Sequence, residues 1–201
     1  MNTLAVMAAA SLCVVAVAMP ERASANARLS LAVRGRARAI IVTQSGATEP
    51  ELLAARELRD HLNAITGASF EIQSSMPIGD TPAIIIGPGP AAAERFPDVR
   101  LDTLGEEEVV MRTSANALLL AGGRPRGTLY AVCRFLQDQL GVRWWTPWAT
   151  HIPKRATLSI GELNVREKPA FEARDPFWFP AFDAMWAVRN GSNSQHSRIT
   201  P

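Results

Sequence analysis

The sequence predicts an α/β layer fold, a mixed β-sheet with two main helices on one face, and three observations carry the prediction. Two stretches repeat apolar residues at spacings of three and four and then stop at a glycine. These are Leu52, Ala55, Leu58, Leu62 and Ile65 before Gly67, and Leu129, Val132, Cys133, Leu136 and Leu140 before Gly141. Between them lie several short runs rich in β-branched or apolar residues, bounded by Gly, Pro, Asn and Ser. Their order, β-α-β-β-β-β-α, is that of a layered α/β domain.

The elements follow one another along the chain. Ala37 to Thr43 reads as a first strand, ending at the turn-like Gln44-Ser-Gly46. A helix then opens with Thr48 or Glu49 near its N-cap and Pro50 in the first turn, where a missing N–H costs nothing. Phe70 to Gln73 is a brief alternating strand. Ala83 to Ile86 is apolar throughout, which predicts a central strand covered on both faces. Residues 91–104 read as a loop with a helical turn. Glu107 to Thr113 and Ala117 to Ala121 form a hairpin about Ser114-Ala-Asn116, with Glu106, Glu107 and Glu108 expected in solvent at its start. The second helix spans about 128–140, and Leu158 to Val165 reads as a last strand.

With 201 residues, 47% hydrophobic and 20% charged, the chain is long enough to bury a core without disulfide staples. The 21 basic and 19 acidic residues give a formal net charge of +2. Scattered over the sequence, they read as solvated surface and leave no footprint for nucleic acid or an anionic membrane. Leu4 to Met19 is an almost unbroken apolar run of 16 residues, followed by Pro20 and Ala23-Ser24-Ala25. This order predicts a secretion signal over 1–25 with cleavage before Asn26, hence a secreted or periplasmic protein without stable membrane association. The rival reading is an uncleaved anchor, for which the run falls short of the roughly 20 residues a bilayer needs. Cys13 leaves with the signal; Cys133, on the apolar stripe of the second helix, reads as a small buried hydrophobe.

The pieces Ala54 to Gly67, Ile84 to Gly87, Gly105 to Val110 and Gly127 to Leu136, in that order, resemble the domain that precedes the catalytic barrel in glycoside hydrolase families 20 and 67. These are the β-hexosaminidases and α-glucuronidases. Leu140-Gly-Val-Arg-Trp-Trp-Thr-Pro-Trp148 and Arg166 to Phe171 are similar to a bacterial family of unknown function that joins this domain to a hydrolase-like barrel. The resemblance implies an N-terminal accessory domain over 26–167 and the start of a (β/α)₈ barrel, its first strand included, over 168–201. It also implies that the catalytic carboxylates lie in a barrel this chain does not supply, so that carbohydrate is met through that barrel.

On this reading no catalytic residue and no cofactor are expected, and the substrate-binding candidates are Arg174, Asp175 and Trp178. An arginine at a similar position binds sugar hydroxyls in the hexosaminidases, a task suited to a planar, permanently charged fork of donors. The plainer reading pairs Arg174 with its neighbour Asp175. Trp144, Trp145, Trp148, Trp178 and Trp186 invite a sugar-stacking reading; for the first three the alternative is core or interdomain packing, which leads for Trp144 and Trp145, and Trp178 is the better stacking candidate. Glu172, Asp175 and Asp183 supply acidity without an assembled pair of the kind glycoside hydrolysis uses. The apolar residues of the tail are expected to lack elements to bury them. Gly87-Pro-Gly-Pro90 and Gly122-Gly-Arg-Pro-Arg-Gly127 are turns rather than phosphate loops, because their prolines remove the needed backbone donors. His61, His151 and His196 share no metal-ligand spacing. Three functions remain open: an accessory domain of a glycoside hydrolase, a free-standing carbohydrate binder using exposed tryptophans, and a fragment with no function of its own.

Overall fold

The computed structural model describes residues 28–193; the signal expected over 1–25 and His196 lie outside them. The strands are β1 (Leu29–Val33), β2 (Arg36–Ala37), β3 (Ile40–Thr43), β4 (Ile72–Gln73), β5 (Ala83–Ile86), β6 (Val109–Ser114), β7 (Ala117–Gly122), β8 (Arg143–Thr146), β9 (Ala149–His151), β10 (Leu158–Ile160) and β11 (Asn164–Glu167). The helices are α1 (Glu49–Thr66), α2 (Pro90–Arg95), α3 (Gly127–Asp138) and α4 (Ala184–Arg189).

The main sheet has six strands in the order β11-β6-β7-β5-β3-β4. β3, β4, β5 and β7 run parallel, while β6 is antiparallel to β7 and β11 antiparallel to β6. β5 is central and buried along its length, as its uninterrupted apolar run requires. Successive residues serve opposite faces. Ile41, Ile84, Leu118 and Leu120 join the core under α1 and α3, while Val42, Ile85, Leu119 and Ala121 pack with Ala92 and Phe96 on the other side. The two main helices therefore share one face, as predicted. The stretch read as a loop with a helical turn contains α2, and Ala92 of that helix packs on the second face together with Phe96 just beyond it.

The helix ends follow the local chemistry of the sequence. Thr48 is the N-cap of α1, Pro50 sits in its first turn, and the Glu51 side chain accepts the Thr48 N–H at 2.7 Å. Gly67 closes the helix at φ 72°, a left-handed conformation only glycine takes without cost, and donates to the Asn63 carbonyl.

Three expectations change. The run from Leu158 to Val165 is two strands, because the chain leaves regular structure over 161–163 and passes from one sheet to another. β10 pairs with β1 in a three-stranded antiparallel sheet, β10-β1-β2, and β11 edges the main sheet. The first predicted strand likewise divides into β2 and β3. β1 turns tightly into β2 at Arg34 and Gly35, both with positive φ (49° and 72°), the twist that suits a two-residue hairpin. Finally, no strand forms between 168 and 193, so the first barrel strand expected there is not seen among the described residues. That stretch holds a 3₁₀ turn, Phe179–Phe182, and α4, which buries Trp186, Ala187 and Val188. These three have packing partners after all: α4 lies on α3 and β8, and the Trp186 indole N–H donates to the Trp144 carbonyl at 2.9 Å.

Candidate functional site

The loops at the carboxyl ends of the parallel strands are where open α/β sheets hold ligands. Here that edge is filled by the protein's own side chains. Gln44, following β3, donates to the Gly87 carbonyl and accepts the Ala92 N–H at 3.0 Å. Glu51, only 2% exposed, lies beside Gly87 and is gripped by Arg124 through bonds of 3.0 and 3.2 Å.

Arg124 belongs to Gly122-Gly-Arg-Pro-Arg-Gly127, and close packing explains the glycines of that loop. A Cβ on Gly123 would lie 1.8 Å from the Gly105 carbonyl oxygen, and one on Gly122 or Gly127 would meet backbone within 2.6 Å. The loop is thus pressed against residues 105–108, and its two arginines are sent in different directions. Arg124 reaches α1, whereas Arg126 reaches Glu107 at 2.6 Å.

Glu107 is the centre of the second cluster. It was expected in solvent, yet it is 5% exposed. Its backbone takes φ 58°, which turns the side chain inward, while its neighbour Glu108 turns out to Arg166 at 2.6 Å. Besides Arg126, Glu107 accepts from Arg174 at 2.5 Å and from the Asn193 amide at 3.2 Å. Both arginines lie over the Tyr130 ring, 5.9 and 5.5 Å from its centre. The Tyr130 hydroxyl donates to the Ser192 carbonyl at 2.8 Å, and burial pushes its pKa up to about 12.

Arg174 therefore acts as a tie. Its guanidinium donates to Glu107, to the Gly191 carbonyl at 2.7 Å and to the Phe171 carbonyl at 2.8 Å. Its ion pair is formed with Glu107, 67 residues away, rather than with adjacent Asp175. Asp175 instead accepts the Phe177 N–H at 3.2 Å in a local turn, and Asp183 caps α4 by accepting the Trp186 N–H at 2.7 Å. Trp178 is half exposed, its ring edge-on to Trp186 at 5.4 Å. Of the three candidate residues, Arg174 joins the buried cluster and the other two remain on the surface beside it. Arg174 lines cavities of about 530 and 300 Å³, the smaller one also lined by Arg126, Lys168, Glu106, Glu107 and Glu172.

A third cluster fastens α4. Arg189 holds Glu57 of α1 with both carboxylate oxygens at 2.9 Å and lies over the Trp144 ring at 5.6 Å. The Trp144 indole donates to His61 Nε2 at 3.3 Å, and His61 Nδ1 lies 2.8 Å from the Glu57 carbonyl. Trp144 is core, as expected. Trp145 and Trp148 are 63% and 72% exposed, so neither is core, and of their two expected packing roles only packing against another domain is left to them. Neighbours on a strand point to opposite faces, so burying Trp144 turns Trp145 outward. Cys133 is fully buried, and loss of solvent pushes its thiol up to about 12.

Sequence reasoning missed Glu107, Arg126, Tyr130 and Asn193. The one local signal was the pair of arginines among glycines at 122–127, since two charges in a close-packed loop need partners.

No family model and no curated protein matches the sequence. Solved structures match at the level of fold. A family GH115 4-O-methyl-α-glucuronidase with specificity for decorated arabinogalactans aligns over 73% of this chain with a TM-score of 0.57 and 21% identity. A GH20 exo-β-N-acetylglucosaminidase from Vibrio harveyi aligns over 72% at TM-score 0.43 and 19% identity, and a GH138 enzyme targeting pectin rhamnogalacturonan II over 68% at 0.39 and 14%. The chain spans 19%, 18% and 12% of these proteins. The fold is thus similar to that of a part of the GH115 α-glucuronidase, in keeping with the glycoside-hydrolase resemblance carried by the sequence.

Proposed function

We propose that this chain is an exported, non-catalytic accessory domain of a carbohydrate-active, glycoside-hydrolase-like protein, with 26–167 as the accessory domain and 168–201 as the lead into a catalytic barrel. The single observation that supports this most is the fold match over 73% of the chain to a glucuronidase of which it spans 19%. Hydrolysis needs an acid and a second carboxylate fixed across one bond. The buried carboxylates Glu51 and Glu107 are each committed to arginines, which suits a scaffold. In this reading Arg174 sets the path of the connecting segment. The purified chain should turn over none of a panel of aryl β-N-acetylhexosaminides and α-glucuronides. Turnover that Arg174→Ala abolishes would overturn the proposal. Export is tested by N-terminal sequencing of secreted protein, which should begin at Asn26.

A second reading, a free-standing carbohydrate binder, draws support from the exposed faces of Trp145 and Trp148. Quenching of tryptophan fluorescence by neutral oligosaccharides, lost in Trp145→Ala/Trp148→Ala, would favour it over the accessory role.

A further inference from the structure

The arginines of this protein fall into two populations. Arg56, Arg112, Arg124, Arg126, Arg166 and Arg189 each hold a carboxylate. Arg28, Arg34, Arg36, Arg38, Arg95, Arg143 and Arg155 form no ion pair among the described residues, and all but Arg95 and Arg143 fall in two segments. The cause is visible in the sequence once the fold is known. Residues 28–48 carry Arg28, Arg34, Arg36 and Arg38 and no Asp or Glu; residues 151–161 carry Lys154 and Arg155 and again none. The pairing of β1 with β10 joins these acid-free segments. The Gly35 N–H donates to the Ala156 carbonyl at 2.7 Å, and the Arg34 N–H to the Thr157 hydroxyl at 3.1 Å, so the hairpin tip abuts Arg155 and Ala156. Arg34, Arg36 and Arg38 converge with Val33 on one open concavity of about 470 Å³. In a chain of net charge +2, Arg34, Arg36 and Arg38 share this concavity, with Lys154 and Arg155 on the adjoining segment, and form a local positive face.

We propose that this face, on the three-stranded sheet and remote in sequence from the Arg174 cluster, binds a polysaccharide bearing carboxylate groups. Three features select that ligand. The cations are nearly all arginine, whose planar fork matches a carboxylate through two parallel bonds. Arg34, Arg36 and Arg38 lie along one hairpin and line one open concavity, so they offer adjoining charges to successive units of a polymer. No Phe, Tyr or Trp lies in residues 28–48 or 151–161, so this face lacks the stacking platforms of single-stranded nucleic-acid binders. The choice of polysaccharide rests on the carbohydrate reading above; the positive face itself does not.

The test is affinity electrophoresis of the full secreted chain through gels containing polygalacturonate, beside gels containing a neutral galactan, with phosphatidylglycerol vesicles and single-stranded DNA as competing polyanions. Polygalacturonate should retard the protein at physiological salt, the neutral polymer should not, and retardation should fade as salt rises. Arg34→Ser/Arg36→Ser/Arg38→Ser should weaken binding by about tenfold, a few-fold per exposed charge, without moving the unfolding midpoint. Lys154→Ser/Arg155→Ser, on the flank, should weaken it less. An unretarded wild type, a triple variant that binds as the wild type does, or vesicles or DNA binding as tightly as polygalacturonate would each overturn the proposal. Glycosidase turnover by the chain would sink the accessory role and leave this face intact, so the two failures are distinguishable.

Discussion

The sheet with α1 and α3, and the segment from Glu172 to Asn193, are held in opposite ways. The first hides its large apolar side chains almost completely: Leu58, Ile84, Leu118, Leu120 and Phe135 have no exposed surface beyond 1%. The second leaves Phe177 and Phe179 79% and 72% exposed, and polar ties do much of the work of holding it. Those ties are Arg174 and Asn193 on Glu107, Ser192 on Tyr130, and Arg189 on Glu57, with Trp186 and Val188 as the buried apolar anchors. Apolar burial is non-directional and tolerates small shifts. Hydrogen-bonded charges require fixed geometry, so the segment has one orientation or none.

Substitutions at the two regions separate these modes. The largest effect is expected from Gly123→Val, which forces side-chain atoms into the Gly105 carbonyl and should cost about 3 kcal/mol or more. A soluble variant with an unchanged melting curve would refute the close packing of residues 105–108 on this loop. Phe135→Ala should lower stability by about 3–5 kcal/mol through the cavity it leaves, measured by urea unfolding. Glu107→Ala strands Arg126 and Arg174 together, a loss of about 3 kcal/mol concentrated in the docked segment. Limited proteolysis should then cut between Glu172 and Asn190 while far-ultraviolet circular dichroism stays that of the wild type. Cleavage appearing first within α1 or α3 would show that the two regions do not separate.

Alkaline pH sharpens the contrast from the core side. Tyr130 and Cys133 are pushed from 10.0 and 9.0 to about 12, so the fold favours their neutral forms. The stability they confer is complete below the unfolded values and disappears as pH rises through the folded ones. Unfolding free energy should therefore fall between pH 9 and 12. Cys133→Ala and Tyr130→Phe should each flatten part of that decline. The smallest effect is expected at Arg134, whose bonds to Glu167 and Asp138 lie in solvent: Arg134→Ala should change stability by less than about 1 kcal/mol in the same unfolding assay.

Local chemistry determined a good deal. The N-cap at Thr48 and the glycine stop at Gly67 are short-range choices, legible because a helix end depends on residues within a turn or two. The apolar run of β5 announced a central strand, and the stripe through Cys133 a buried helix face. Short strands were less legible: two- and three-residue elements such as β2 and β10 exist because a partner more than 100 residues distant or a tight turn offers them bonds. Of the site, the sequence supplied Arg174; the loop at 122–127 was legible only as a turn. It could not supply Glu107, because nothing within a few residues distinguishes it from Glu106 and Glu108.

What the sequence by itself determined is the class of the fold, its helices and their caps, and the central strand, since each follows from periodicity and backbone preference over a few residues. Only the tertiary structure decided which glutamate is buried, which arginine is a tie and which arginines stand unpaired. Charges become a buried clamp or a positive face only when distant segments meet, and the arginine at 174 found its carboxylate 67 residues away.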